Sequence, residues 1–280
     1  MNEKEIESLT DKVLSSHKYK GLHPAVVERI INDLSGKYQG EVLEKKVKEK
    51  LHKIFGAFFV HLPDFKRLAK KFEKDLKEKG ESFAVLNLLK YQTSTRERLP
   101  FYEDFYKEVF RITGKPKSIL DLGCGFNPVF LALMNLAKDT EYLAVDIFKP
   151  EIDCLNKIFQ ILKYKNAKAV WGDAVSKNFG KFDVCLVLKF LPCLKEQNCS
   201  VQRFLDTTSC RWLVVSFPKT NLAGRRQKET EEKELSEFIE SRNLRCKIIE
   251  FSNEKVFVIY KHHLEDVRSH LQGEMKRNEI

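Results

Sequence analysis

Two glycines and three aspartates, at what look like successive strand ends, carry most of the chemistry legible in this chain. In Asp121-Leu122-Gly123-Cys124-Gly125-Phe126-Asn127-Pro128, Gly123 and Gly125 let the backbone approach a ligand more closely than side chains would permit. The dinucleotide pattern GxGxxG fails here, because its last glycine would fall on Pro128, a good first helical residue instead. Asp146 closes the run Tyr142 to Asp146, where a carboxylate can accept hydrogen bonds from both hydroxyls of a ribose. Asp173, with Ala174 beside it in Trp171-Gly172-Asp173-Ala174-Val175, can accept from an adenine amino group. Either aspartate could equally be an ordinary strand-end or helix-capping residue. An acidic Asp121 two positions before the first glycine, with no pyrophosphate fingerprint, favours S-adenosylmethionine over a nicotinamide dinucleotide.

A second stretch bears on the same ligand. Ser94-Thr95-Arg96-Glu97-Arg98-Leu99-Pro100-Phe101-Tyr102 places two arginines before an aromatic run. Ser94 and Glu97 have capping-box spacing, which predicts a helix start at Ser94. Positive charge in a first turn opposes the helix dipole, which favours another partner for Arg96. Arg96 could be a solvated first-turn residue, or could clamp the methionine carboxylate of the cofactor in a charge-assisted pair.

Elements that would position these residues can be read on either side. Residues 1–113 read as successive helices: Val42, Leu43, Val47, Leu51, Ile54, Phe55 and Phe58 recur at helical spacing with lysines between them. After Pro116 the pattern becomes short apolar runs at 118–122, 142–146, 167–171, 184–188 and 212–217, separated by helical segments. That alternation predicts a parallel sheet with crossover helices. Segments 245–251 and 255–260 read as an antiparallel hairpin. The expected division is a helical region 1–90, a Rossmann-like α/β domain 91–263 and a charged tail 264–280.

Composition narrows the class. The chain has 280 residues, 42% hydrophobic and 32% charged, with a net charge of +10 that is weighted toward the front part. This suits a phosphate-backbone partner. Lys66, Arg67, Lys70 and Lys71 form a basic series that fits an RNA-docking face or a solvated helix face. No apolar run approaches the roughly twenty residues needed to cross a bilayer. The acidic, amphipathic start does not read as a signal peptide, so a cytoplasmic location is expected. Seven cysteines without CxxC spacing indicate neither a zinc site nor a disulfide framework, and no metal is expected.

Four motifs, Ser94 to Tyr102, Asp121 to Pro128, Leu186 to Leu194 and Val214 to Arg225, occur in order. Together they resemble the aminoglycoside-resistance 16S ribosomal RNA methyltransferases, over roughly residues 88–262. The resemblance implies S-adenosylmethionine-dependent methylation of guanine N7 in the decoding region of the small ribosomal subunit; separately, a monomer is expected. It also implies cofactor contacts by Arg96, Gly123, Asp146 and Asp173, with Lys189 beside the target base as the catalytic residue. Lys219 and Arg225 would face RNA. The chain reads Phe217-Pro218-Lys219-Thr220 where the family has threonine before lysine, so the role of Lys219 departs from the pattern.

Guanine N7 offers a lone pair and no proton, so its methylation needs in-line positioning rather than a general base. The base must leave its stack to be reached, and a basic helical module would offset that cost. Other readings remain open at this point: methylation of a different RNA base or a small molecule, or a non-catalytic RNA-binding protein on a methyltransferase scaffold. Pro192-Cys193 has the look of a cytosine-C5 nucleophile, but its place in the family motif makes Cys193 a packing residue.

Overall fold

The computed structural model describes residues 1–59, 61–219 and 230–261; Arg225 and the tail 264–280 lie outside these. The front part is helical, as its spacing predicts: α1 (Glu3–Ser15), α2 (Pro24–Ser35), α3 (Gly40–Ile54), α4 (Phe65–Lys79), α5 (Glu81–Leu89), α6 (Thr93–Arg98) and α7 (Tyr102–Thr113). Local chemistry sets several of the starts. Asn2 and Glu5 form a capping box on α1, Pro24 opens α2, and the Asp64 carboxylate caps α4 by accepting from the amides of Lys66 and Arg67. The capping box expected at Ser94 is not formed. Gln92 is the N-cap of α6, without a side-chain cap, and Glu97 is drawn instead to Lys189.

The second part alternates strand and helix. β1 (Ser118–Leu122) leads through a 3-10 turn at Asn127–Leu133 to β2 (Glu141–Asp146), then α8 (Lys149–Ile161), β3 (Ala167–Trp171) and β4 (Phe182–Leu188). Helices α9 (Leu191–Glu196) and α10 (Val201–Thr207) precede β5 (Cys210–Pro218), and α11 (Thr230–Ser241) precedes the hairpin of β6 (Arg245–Glu250) and β7 (Glu254–Tyr260). These form one seven-stranded sheet in the order β3-β2-β1-β4-β5-β7-β6. β1 to β5 are parallel, and β7 runs antiparallel between β5 and β6. The order reverses between β1 and β4, and the crevice of such a sheet opens outside the carboxyl ends of its strands at that switch.

Both faces are covered around the central strands β1, β4 and β5, which is why these read as nearly unbroken apolar runs, whereas the edge strand β6 is largely exposed. In β4, Val184, Leu186 and Leu188 pack on one face while Cys185 and Val187 pack on the other. The first face lies under α7, α8 and the front helices; the second lies under α10 and α11. The front helices therefore share a core with the sheet: one buried cluster runs from Val13 to Val258, and the expected boundary at residue 90 is not a gap in packing. An aromatic chain makes the junction, with Phe55 and Phe65 of the front part against Phe148 at ring separations of 4.5 and 5.5 Å, and Phe65 against Phe126 at 6.0 Å. Backbone joins the same two regions. Leu22 and Phe148 form an antiparallel bridge; the His23 amide donates to the Ile147 carbonyl at 2.8 Å and the Lys149 amide to the Gly21 carbonyl at 2.9 Å. Gly21 is required there: its φ is +102°, and a Cβ would stand 2.8 Å from Pro150 Cδ.

Candidate active site

The switch point sets up the site. Gly123 follows β1, Asp146 ends β2, Asp173 and Ala174 follow β3, and Lys189 follows β4; all five line one cleft. Ile54, Phe55, Phe58 and Phe59 add an apolar wall from the front helices, and Leu188 and Phe190 add to it from the sheet side. A cleft with apolar walls and a few convergent polar groups is the usual form of a small-molecule site.

The glycine turn owes its shape to its neighbours. Gly123 has φ +66° and Gly125 φ +48°. A Cβ on the first would collide with the Phe190 ring, and one on the second with the Gln92 side-chain amide. Gln92 is buried: its Oε1 accepts from the Phe126 amide at 2.7 Å, and its Nε2 donates to Glu151 at 3.3 Å. The sequence pointed to neither Gln92 nor Glu151, yet both line the cleft. Burial, with Asp146 nearby, pushes the Glu151 carboxyl well above its usual range. Burial also raises Asp146, opposed by the amides of Gly125 and Ile147, which donate to it at 2.9 and 2.6 Å.

Asp173 is held by the amide of Val175 at 3.1 Å and by Ser176 Oγ and the Arg29 guanidinium. Lys189 has φ +57°, an uncommon conformation for a side-chain-bearing residue, and its amide donates to Ser216 O at 3.0 Å. Its Nζ lies 2.8 Å from Glu97 and 3.5 Å from Glu254, two carboxylates that converge beneath the cleft.

Arg96 is not among the residues that line this cleft. It is exposed, whereas Arg98, two residues on and so about 200° around the helix, is fully buried. Arg98 donates to Glu254 at 2.6 Å and to Asn127 at 2.9 Å. Burial alone would raise the Glu254 carboxyl, but Arg98 and Lys189 outweigh it and draw the group below its usual range. Asn127 and Tyr142 both donate to Asp121, at 2.8 and 2.7 Å. Asp121 thus belongs to a buried network behind the glycine turn and does not line the cleft. Burial pushes its carboxyl up to about 7.

Of the other residues singled out in the sequence, Cys193 lines the cleft, and Lys66, Arg67, Lys70, Lys71 and Lys219 do not. Lys66, Arg67 and Lys70 are exposed on α4 with no ion-pair partner among the described residues, and Lys71 pairs with Asp75 at 2.9 Å. Lys219 pairs with Glu250 at 3.0 Å. Cys193 is buried, and burial lifts its thiol to about 12, which does not suit a nucleophile. Among the described residues there is no group of three or more metal-ligating side chains and no helix long and apolar enough to cross a membrane.

Comparison with known proteins agrees with this geometry. A family model described as ribosomal RNA methyltransferase (FmrO) matches residues 15–259. The 16S rRNA (guanine(1405)-N(7))-methyltransferase of Proteus mirabilis is 33% identical over 239 residues, covering 80% of this chain and 85% of that protein. Its namesake in Micromonospora rosea is 31% identical over 271 residues, covering 91% and 97%. The solved structure of 16S rRNA methyltransferase RmtF, in complex with S-adenosyl-L-homocysteine, matches with TM-score 0.76 at 27% identity, covering 94% of this chain and all of that one. The 16S rRNA methylase RmtB shares the fold, with TM-score 0.73 at 23% identity over 92% of this chain and 98% of that one. With its characteristic sheet order, its cleft at the switch point and a family match over most of its length, the chain belongs to the FmrO family of ribosomal RNA methyltransferases.

Proposed function

We propose that the protein transfers a methyl group from S-adenosylmethionine to N7 of a guanine in the decoding region of small-subunit ribosomal RNA, acting in the cytoplasm as a monomer without a metal. The observation that carries this reading is the convergence of Gly123, Asp146, Asp173 and Lys189 from four successive strand ends on one cleft, in a chain of this family.

The cleft suits the cofactor. The Asp146 carboxylate accepts the amides of Gly125 and Ile147, one on each oxygen, with the Phe148 amide beside it, and keeps acceptor capacity for a ribose hydroxyl. Oδ1 of Asp173 likewise keeps capacity for the adenine amino group, and the phenylalanine wall offers apolar surface to a base. S-Adenosylmethionine supplies the methyl group as an electrophile on a sulfonium centre. The protein's task is then positional, because guanine N7 carries no proton to be removed. Lys189 Nζ has three donors and two flanking carboxylates, which leaves a donor to orient guanine O6 or a phosphate. The carboxylate role assigned to Arg96 gains no support from its exposed position.

Residues 1–90 would serve as the RNA-docking region and 91–263 as the methyltransferase part. Lys66, Arg67, Lys70 and Lys71 supply basic surface on α4, and Lys219 and Arg225 belong to the loop after β5. Incubation with small ribosomal subunits and labelled S-adenosylmethionine, followed by reduction and strand scission at N7-methylguanine, tests the reading. One cut in the decoding region is the expected result. Labelled RNA without a cut would move the target to another atom.

A further inference from the structure

The cofactor cleft has a wall that neither glycine turn nor strand end supplies. Arg29, in the middle of α2, reaches across to the sheet with its side chain 21% exposed and engages both lips of the cleft. One amino group, Nη2, is paired with the Asp173 carboxylate and donates to Ser176 Oγ at 3.1 Å. The other, Nη1, donates to Gln197 Oε1 at 2.5 Å. Asp173 and Gln197 lie on separate segments, one after β3 and one after α9, and both line the cleft. Gln197 is itself fixed, since its Nε2 donates to the Cys193 carbonyl at 3.1 Å.

Around this fork the front helices grip the same segment repeatedly. Asp33, one turn after Arg29, accepts from Asn198 at 2.8 Å, and Lys53 of α3 pairs with Glu196 at 3.0 Å. At the other side of Asp173 the His23 ring packs on Trp171 at 4.8 Å. The planar guanidinium suits the bridging place, because its donors are set in a fixed fork and can satisfy two acceptors at once.

We propose that Arg29 is a positioning residue for cofactor binding. It locks the Asp173 carboxylate and the Gln197 amide into one preorganised wall, so that helix α2 sets the affinity of the site for the adenine end of the cofactor. The inference rests on the reading that Asp173 meets the adenine amino group. Arg29 and Ser176 take up Oδ2 of Asp173, while Oδ1 accepts the Val175 amide and keeps a lone pair. The arginine thus aims the carboxylate without using its last acceptor position.

Calorimetry with S-adenosylhomocysteine on the full-length protein separates the possibilities, with Tm recorded for every variant. Arg29→Ala should weaken binding about tenfold, the usual cost of losing a charge-assisted bond. In methylation assays the same variant should raise KM for S-adenosylmethionine while leaving kcat at saturation near that of the native protein. Arg29→Lys should recover part of the affinity. In the double variant with Asp173→Asn the losses should not add, because both act on one contact. Where Arg29→Ala lowers Tm, Arg29→Gln, which keeps length and polarity but not the charge, replaces it in the comparison. Unchanged affinity in the arginine variants, with weakened binding in Asp173→Asn, overturns the positioning role and leaves the cofactor reading standing. Fully additive losses overturn it as well, since the arginine would then act elsewhere. Native affinity in Asp173→Asn removes the adenine contact itself, and the inference with it.

Discussion

Lys189 stands at the meeting point of the reaction site and the buried charge behind it. Glu254 is fully buried between Lys189 and Arg98, so its carboxylate compensates two cations at once. Glu254→Gln keeps the shape and removes the compensation. Breaking such a buried pair on one side costs about 3–5 kcal/mol, and thermal melts should show a Tm lowered accordingly. A variant that melts like the native protein would mean that the arrangement contributes no net stability.

Asp121 gives a second residue-scale prediction, through its protonation. Its carboxyl is raised from 3.8 to about 7 in the folded protein, chiefly by burial, against the hydrogen bonds from Asn127 and Tyr142 and the charge of Arg98. Folding therefore takes up a proton between about pH 4 and 7, and this group withdraws stability as pH rises through that window. Asp121→Asn has no such proton to lose. Its stability relative to the native chain should improve by a few kcal/mol from pH 4 to 7 and stop improving above about pH 8. Denaturant melts of both proteins at pH 5 and pH 8 measure the difference.

At the scale of elements, the central strands are legible because β1, β4 and β5 bury both faces and so leave short apolar runs bounded by turns. The hairpin and the switch-point cleft followed from the same pattern. Helix α6 forms where a helix is expected, but it starts at Thr93 with Gln92, not Ser94, as its N-cap. Ser94 and Glu97 have capping spacing, but local spacing cannot register that Glu97 has a buried lysine waiting on a distant strand end. The same limit hid Arg29, which reads as one solvated residue in Val26-Val27-Glu28-Arg29-Ile30-Ile31, and Glu254, which reads as a turn residue. Spacing alone does not distinguish Arg96 from Arg98, because the choice depends on which side of a short helix meets the core. The basic side of α4 is the element whose role is most open to measurement. Reversing Lys66, Arg67, Lys70 and Lys71 to glutamate should weaken RNA binding at least tenfold and flatten its salt dependence, because fewer counterions are released. Affinity for S-adenosylhomocysteine should stay within about twofold, since none of these residues lines the cleft. Unchanged RNA affinity would sink the docking role.

For the molecule as a whole, the continuous core has a direct consequence for dissection. A chain beginning at residue 91 would expose the surfaces of α8 and the 3-10 turn that α4 and α5 cover, and it would lack Phe55 and Phe65, with Phe59 packed on both, against Phe148 and Phe126. Burial of each such ring contributes about 1.5–3 kcal/mol, so their combined loss approaches the whole stability of a domain. The fragment should show no cooperative melt, whereas the full chain should melt in one transition.

The phenylalanine wall also bears on how the enzyme could be inhibited. The polar strand-end residues that would meet the adenosine moiety come from the sheet. Ile54, Phe55, Phe58 and Phe59 come from a helical segment that is not part of that sheet. An inhibitor extended toward those rings would draw its selectivity from the front helices and its affinity from the cleft.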